Sequence, residues 1–126
     1  MYILDTHTLL WFLSDAPELS EDTKRFIANQ DIVAVSIASL WEIAIKQSLN
    51  KLRLNGTIRD IEAMCYQKDF YILPINTAEL DLLKTLPSIH RDPFDRLIIC
   101  QTIDEDATLI TRDEKIPLYP VKTMAV

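Results

Sequence analysis

The sequence predicts an α/β domain of three layers, α/β/α, around a central, mostly parallel sheet of four or five strands. Short runs rich in β-branched residues alternate along the chain with longer segments whose apolar residues recur at helical spacing. Such alternation is typical of strands joined by helical crossovers, and it places helices on both faces of the sheet. The predicted strands are residues 2–4, 32–35, 71–74, 108–110 and, more weakly, 118–121.

Length and composition indicate a single domain over residues 1–126. The chain is 48% hydrophobic and 25% charged, which is ordinary for a globular protein. It has one glycine, so the glycine-rich phosphate loops of nucleotide-binding proteins are excluded. We expect no membrane span and no signal peptide, and we expect Cys65 and Cys100 to be reduced core residues of a cytoplasmic protein. The net charge of -6 argues against binding nucleic acid by surface charge alone.

Several helix starts carry capping residues. Ser20 is placed to cap the helix that contains Phe26, and either Asn76 or Thr77 to cap the one through Leu83. In "RDPFD", Asp92 is a natural N-cap because Pro93 follows it at the first helical position. For the helix through Trp41, the cap is either Ser36 or Ser39.

Four acidic residues form a candidate site because of where they lie relative to the predicted strands and helices. Asp5 comes directly after the first strand, and Asp113 follows the fourth in "LITRD". Glu42 lies on the helix after the second strand, and Asp95 lies in the first turn of the helix before the fourth. Parallel sheets bind ligands at the carboxyl ends of their strands. We therefore expect these carboxylates to converge at one edge of the sheet.

The two strand-end acids also have purely structural interpretations. Asp5 could cap the helix that begins near His7. Asp113 could be a solvated loop residue between Arg112 and Glu114. Independent structural acids would scatter over both edges of the sheet, so the conjunction favours a site.

The two helical acids have structural alternatives as well. Glu42 could complete a capping box with Ser39, and it precedes Lys46 by four residues, the spacing of a helical ion pair. Asp95 could sit beside Asp92 simply because acids are favoured at a helix N-terminus.

Clustered carboxylates repel one another, and a divalent cation relieves that repulsion. Oxygen ligands in an incomplete cage suit Mg²⁺ or Mn²⁺, which can activate water for attack on a phosphodiester. A zinc site is not indicated, because His7 and His90 are isolated in sequence. We expect those two to be surface histidines or to lie behind the acids.

At these acids the chain resembles the PIN-domain ribonucleases, and among them the VapC-type toxins of toxin–antitoxin systems. The matching segments are "YILDTHTLLW", "VSIASLWEIAIK", "HRDPFDRLIICQ" and "LITRD", in the family's order and at its spacing. The resemblance implies a PIN-like fold over the whole chain and a metal-dependent endoribonuclease. Its catalytic residues would be Asp5, Glu42, Asp95 and Asp113.

The resemblance also implies finer assignments. Asp5, Asp95 and Asp113 would hold Mg²⁺ or Mn²⁺, and the hydroxyls of Thr6 and Thr111 would support the acids. The protein would act on RNA as a homodimer, held inactive by a cognate antitoxin. The segments "LLWFL" and "LWEIAI" are candidates for a groove that receives an antitoxin helix, although core packing is the favoured interpretation for most of their residues.

Basic residues near the acids are candidates for binding RNA phosphates. The set is Lys46, Lys51, Arg53, Arg96 and Arg112. The alternative is that they form a solvated helix end and local ion pairs with the acids.

Rival functions fit the motifs less well. A haloacid-dehalogenase-like phosphatase needs a second aspartate two residues after the first, where this chain has His7. A receiver-like signalling module needs a phosphoacceptor aspartate at the end of a central strand, and "YILPIN" has none. The remaining alternative is a PIN-like module that binds RNA or protein without cutting.

Overall fold

The fold was analysed in a computed structural model, which describes residues 1–52 and 54–126. In chain order its helices and strands are β1 (Tyr2–Leu4), α1 (Thr6–Leu13), α2 (Glu21–Ala28), β2 (Val33–Ser36), α3 (Ile37–Ser48), α4 (Ile58–Gln67), β3 (Tyr71–Leu73), α5 (Thr77–Leu83), α6 (Pro93–Asp104), β4 (Thr108–Thr111) and β5 (Lys122–Ala125). A short 3₁₀ turn, Ile116–Leu118, precedes β5. The alternation of strands and helices is the one that the sequence predicts.

The five strands form one parallel sheet in the order β3-β2-β1-β4-β5. The chain moves outward from β1 through β2 to β3, and then returns to build β4 and β5 on the other side of β1. The direction of travel therefore reverses between β1 and β4. Reversal points of this kind leave a crevice at the carboxyl ends of the two strands, where α/β proteins bind ligands.

Alternate residues along the strands supply two cores. Leu4, Val35 and Ile110 pack with the first four helices on one face of the sheet. Ile3 and Leu109 pack on the opposite face with α5 and α6. This alternation follows from the two-residue period of a strand, and it confirms the three-layer α/β/α fold.

The fifth strand is the one element that the sequence misplaces. The prediction put it at 118–121, whereas β5 is Lys122–Ala125 and pairs with β4 from Thr108↔Lys122 onward. Pro117 and Pro120 account for the error, since proline lacks the N–H that a paired strand donates and favours the turn that is found here instead.

The capping residues resolve the open alternatives. Ser20, Asn76 and Asp92 cap their helices as predicted, with Asn76 chosen over Thr77. Ser36 caps α3, since its hydroxyl accepts from the Ala38 N–H at 3.0 Å. The alternative in which Glu42 completes a capping box with Ser39 is therefore wrong, because Ser39 already lies inside the helix.

The other structural expectations can be compared directly. Cys65 and Cys100 are free and buried as predicted, and burial raises the pKa of each thiol to about 11. Within the described residues, no helix has the length and apolar character needed to cross a bilayer. Most of "LLWFL" and "LWEIAI" packs into the core, but the Trp41 side chain is 57% exposed.

Candidate active site

The acids that follow β1 and β4 meet where the sheet order reverses. A cavity of about 210 Å³ lies there, lined by Asp5, His7, Trp11, Asp95, Arg112 and Asp113. Three of the four predicted acids therefore face one space, contributed by two strand ends and the first turn of α6. A larger cavity, of about 450 Å³, lies beside β3, and none of the four acids lines it.

Asp5 is nearly buried and uses both carboxylate oxygens. Oδ1 accepts from the Thr8 N–H at 2.9 Å, which makes Asp5 the N-cap of α1. Oδ2 accepts a short hydrogen bond from the Thr111 hydroxyl, at 2.5 Å. The capping interpretation of Asp5 is therefore correct, and the same side chain also faces the cavity.

Thr111 connects two of the acids. While its hydroxyl donates to Asp5, its oxygen accepts from the Asp113 N–H at 3.0 Å. Thr6 behaves differently from the expectation, because its hydroxyl donates to Ser39 Oγ at 2.9 Å and not to a carboxylate. That buried hydrogen bond joins α1 to α3, so Thr6 orders the scaffold around Asp5.

His90 lies between Asp95 and Asp113. Its Nε2 is 2.8 Å from Asp113 Oδ2 and 3.1 Å from Asp95 Oδ2. Its Nδ1 accepts from the Asp92 N–H at 3.1 Å, so we assign the neutral ring its proton at Nε2, directed at the carboxylates. The placement agrees with a histidine behind the acids, but the sequence offers no sign that His90 would link these two.

The surrounding segments hold His90 and Asp95 in place. Asp92 caps α6, with Oδ1 accepting from Phe94 N–H at 2.8 Å and Asp95 N–H at 3.0 Å. The Tyr119 hydroxyl oxygen accepts from the His90 N–H at 2.7 Å. The Asp92 side chain is thus occupied by capping, as expected.

The pKa values of Asp95 and Asp113 are shifted in opposite directions. Burial, followed by the charges of Asp92, Asp5 and Glu42, raises the pKa of Asp95 to about 7. Burial acts to raise the pKa of Asp113 too, but its hydrogen bonds, that with His90 foremost, outweigh it and leave that pKa below its ordinary value. Such a divergence is common where carboxylates serve different roles in one site.

Glu42, on α3, does not line the cavity, but its charge acts on Asp95. Its side chain is buried, and Oε2 pairs with Lys46 Nζ at 2.9 Å, the ion pair that the spacing predicts. Its other oxygen, Oε1, is buried and has no hydrogen-bond partner within the described part of the chain. A buried carboxylate oxygen without a donor is costly, so this atom has unused capacity to bind a donor or a cation.

The basic residues that were expected to bind RNA phosphates differ in their surroundings. The Arg96 guanidinium donates to the Pro87 carbonyl at 2.9 Å and to Tyr119 Oη at 3.3 Å, which argues against its predicted contact with RNA. Lys51 is exposed, and Arg112 lines the cavity. Arg53 lies outside the described residues.

The arrangement fits a hard divalent cation. One carboxylate oxygen of Asp95 and one of Asp113 lie within 4.8 Å of each other, beside the His90 N–H that they share. Among the described residues Oε1 of Glu42 has no hydrogen-bond partner, and after burial the negative charges of Asp92, Asp5 and Glu42 raise the pKa of Asp95. A bound cation would relieve both conditions, which is the behaviour expected of oxygen-rich Mg²⁺ or Mn²⁺ sites.

Known structures share this architecture. The chain is similar to the VapBC2 complex of Rickettsia felis bound to a promoter DNA fragment, at 17% identity over 98% of this chain and 97% of the other, with a TM-score of 0.72. It is similar to FitAcB of Neisseria gonorrhoeae at 18% identity, covering 98% and 96%, with a TM-score of 0.70. DNA-bound VapBC of Salmonella typhimurium matches at 15%, again over 98% and 96%, with a TM-score of 0.67.

At these identities the likeness establishes the fold. No curated protein sequence matches the chain. The profile of the PIN domain, however, matches residues 2–122. Because that match spans nearly the whole chain, this protein belongs to the PIN domain family.

Proposed function

We propose that this protein is a metal-dependent endoribonuclease that hydrolyses RNA phosphodiester bonds with Asp5, Glu42, Asp95 and Asp113. The observation that carries the proposal is the convergence of Asp5, Asp95 and Asp113 on one cavity at the reversal point of the sheet. Membership of the PIN domain family adds support, since PIN domains are generally nucleases.

Asp5, Asp95 and Asp113 are the residues that would hold Mg²⁺ or Mn²⁺, with Glu42 beside them. When bound, the cation supplies charge stabilisation at the phosphate and makes water a stronger nucleophile. Thr111 keeps the Asp5 carboxylate and the Asp113 backbone in register. His90 holds the Asp95 and Asp113 carboxylates together from the protein side. These contacts orient the acids before any substrate arrives.

RNA phosphates would meet few free cations near the acids. Lys46 is paired with Glu42, and the Arg96 guanidinium donates to a carbonyl and a hydroxyl oxygen. Of the predicted basic residues, Lys51 is exposed, and Arg112 lines the cavity although its guanidinium already donates to two backbone carbonyls.

We further infer that the protein is the toxin of a toxin–antitoxin pair and works in the cytoplasm. The similar structures include VapBC complexes, which supports a protein partner of antitoxin type. An acidic cavity attracts an Arg or Lys of such a partner by the same electrostatics that attract a metal. The exposed Trp41, packed edge-on against Phe94 at 5.0 Å between ring centroids, supports an apolar contact with a second copy or the antitoxin.

The enzymatic proposal is tested with purified protein free of any partner. A mixed RNA pool is incubated with Mg²⁺ or Mn²⁺, and in parallel with EDTA. We expect cleavage only with metal, and a large loss of cleavage in Asp5→Asn and in Asp95→Asn. The matched control is Asp31→Asn, an exposed acid just before β2 and therefore at the opposite edge of the sheet, which should cut like wild type.

The same experiment addresses the alternative of a non-cleaving PIN-like module. RNA that is bound but left intact with either metal would establish that alternative. Calorimetric titration with Mn²⁺ gives an independent readout, because the acids should bind the ion whether or not the RNA is a substrate. Absence of both cleavage and metal binding would return the acids to purely structural roles.

The toxin role has its own test. Induced expression in a bacterial host should arrest growth with wild type and not with Asp95→Asn at equal protein level. Unimpaired growth with an active nuclease would separate the enzyme from the toxin role. Light scattering of the purified protein would decide whether it is a homodimer.

A further inference from the structure

Three side chains form a stack along one wall of the acidic cavity. The ring of His7 lies nearly parallel to that of Trp11, with centroids 5.8 Å apart and an interplanar angle of 18°. The Arg112 guanidinium carbon lies 4.6 Å from the Trp11 ring centroid. All three line the same cavity as Asp5, Asp95 and Asp113. We call this set the His7 stack.

The chain itself ties the His7 stack to the acids. His7 is two residues after Asp5, and Trp11 follows one turn later on the same face of α1. Arg112 immediately precedes Asp113. The distance from the stack to the cluster of acids is therefore nearly invariant.

Arg112 is held against Trp11 by the backbone. Its guanidinium donates to the Glu18 carbonyl and, through Nε at 3.0 Å, to the backbone oxygen of Val126. Trp11 is partly buried against the core. Two members of the stack are thus fixed from behind, and they support the third.

His7 is the member that the fold does not explain. Its side chain is exposed at the mouth of the cavity, and no side-chain hydrogen bond holds its ring within the part of the chain that the structure describes. A flat ring that is backed by an indole and borders a phosphate-cleaving site matches the platforms on which proteins stack unpaired bases. Such stacking tolerates any base, because every base has a π-face.

We propose that the His7 stack is a platform for one nucleobase of single-stranded RNA, next to the phosphate that is cut. The proposal rests on the ribonuclease function proposed above. The charge of the protein favours such a contact. With a net charge of -6 and an acidic cavity, phosphate attraction alone binds RNA poorly, so stacking holds the substrate near the acids.

The test measures binding separately from cleavage. A short single-stranded RNA carrying the fluorescent base 2-aminopurine, moved along the sequence in a series of oligonucleotides, is titrated with Asp95→Asn protein in EDTA. Stacking on the platform quenches the fluorescence of the base. We expect quenching that His7→Ala weakens about tenfold in affinity and that His7→Phe restores, because phenylalanine keeps the flat ring.

A matched aromatic control comes from elsewhere on the surface. Tyr71 is 59% exposed on edge strand β3, beside the other cavity, so Tyr71→Ala should bind RNA like the parent protein. The thermal midpoint should be unchanged in both His7 variants, since the side chain is exposed. In the cleaving enzyme, His7→Ala should raise KM and leave kcat nearly unchanged.

Each outcome separates the platform from the nuclease. If the fluorescence of the RNA is quenched in a His7-dependent way but the RNA is never cut in Mg²⁺ or Mn²⁺, the platform is supported and the nuclease function is contradicted. If wild type cleaves RNA and His7→Ala has the same KM, the nuclease function is supported and the platform is contradicted. Equal affinities of His7→Ala and its parent, failure of His7→Phe to restore binding, or no RNA binding at all would each overturn the platform.

Discussion

The two ends of helix α6 carry two different acidic clusters. At its start, Asp95 meets Asp113 and His90, all partly buried. At its end, Asp104 and the following Glu105 meet Glu79 of α5, and there only Glu79 is buried. The ligand atoms in each group lie within 4.8 Å of one another, so proximity alone does not distinguish them.

What distinguishes them is the use made of the oxygens. Glu79 is 1% exposed, and its carboxylate accepts from the Asn76 N–H at 2.9 Å in a capping box. Asn76 also donates to Asp104 at 3.3 Å, while the outer acids face solvent. Near Asp95, by contrast, three acids face one cavity, and an oxygen of Glu42 has no hydrogen-bond partner among the described residues. Clustered acids indicate a site when they converge on a cavity and are incompletely satisfied.

Cleavage should separate the two clusters most sharply. We expect Asp95→Asn to lower the rate of RNA cleavage by about 100- to 1,000-fold, the loss typical when charge stabilisation at the reacting phosphate is removed. Asp104→Asn, made in the same helix, should cleave at the wild-type rate. Initial rates on one RNA with Mn²⁺ give the comparison, and equal losses in both variants would remove the distinction between the clusters.

Metal binding should stabilise the protein through one cluster only. Mn²⁺ at a hundred times its dissociation constant should raise the free energy of unfolding by about 2.7 kcal/mol, and EDTA should reverse this. Asp104→Asn should keep the full effect, whereas Asp95→Asn should lose most of it. Thermal unfolding with and without Mn²⁺ measures both, and a shift that survives Asp95→Asn would place the ion elsewhere.

Without metal, the Asp95 charge should destabilise the fold. The pKa of Asp95 is about 7 in the folded protein and 3.8 in the unfolded chain. Between these two pH values the folded state keeps a proton on Asp95 that the unfolded chain loses, so the free energy of unfolding falls as pH rises. In EDTA at about pH 8, Asp95→Asn should therefore be more stable than wild type. The difference between the two pKa values sets an upper limit of roughly 4 kcal/mol, and we expect about 2 kcal/mol, half of that limit. Near pH 4 the gain should vanish.

Urea unfolding at the two pH values measures this difference. Asp5→Asn serves as the contrast, because asparagine can still cap α1 but its amide nitrogen cannot accept from the Thr111 hydroxyl, so this change should destabilise by about 1 kcal/mol. If both substitutions stabilised the protein, the destabilising charge could not be assigned to Asp95 in particular.

The smallest effect is expected at the other end of α6. Burial and the nearby acids raise the pKa of Glu79, so its charged form is disfavoured in the folded state above that pKa. Glu79→Gln keeps a capping oxygen for Asn76 and should stabilise by less than about 1 kcal/mol at neutral pH, with no gain near pH 4. Urea unfolding checks it, and a loss of stability at neutral pH would show that the charge itself is needed for the cap.

Much of the fold was readable from local pattern. The run Tyr2–Leu4 is a strand because its side chains serve two cores, and Asp92 with Pro93 starts a helix because of their own backbone chemistry. β5 was misplaced, since Lys122–Ala125 has weak strand character and is ordered chiefly by pairing with β4. An edge strand held by its neighbour leaves little local signal.

The site divides in the same way. The sequence by itself determined that Asp5 and Asp113 follow strands and that Asp95 begins a helix, because strand ends and caps are local features. Only the tertiary structure decided that His90 joins Asp95 to Asp113 and that one Glu42 oxygen has no hydrogen-bond partner in the part of the chain that is described. It also decided that the acids at the start of α6 are partly buried around a cavity, whereas Asp104 and Glu105 at its end are exposed. Burial and long-range hydrogen bonds depend on how distant segments pack, and no local pattern encodes them.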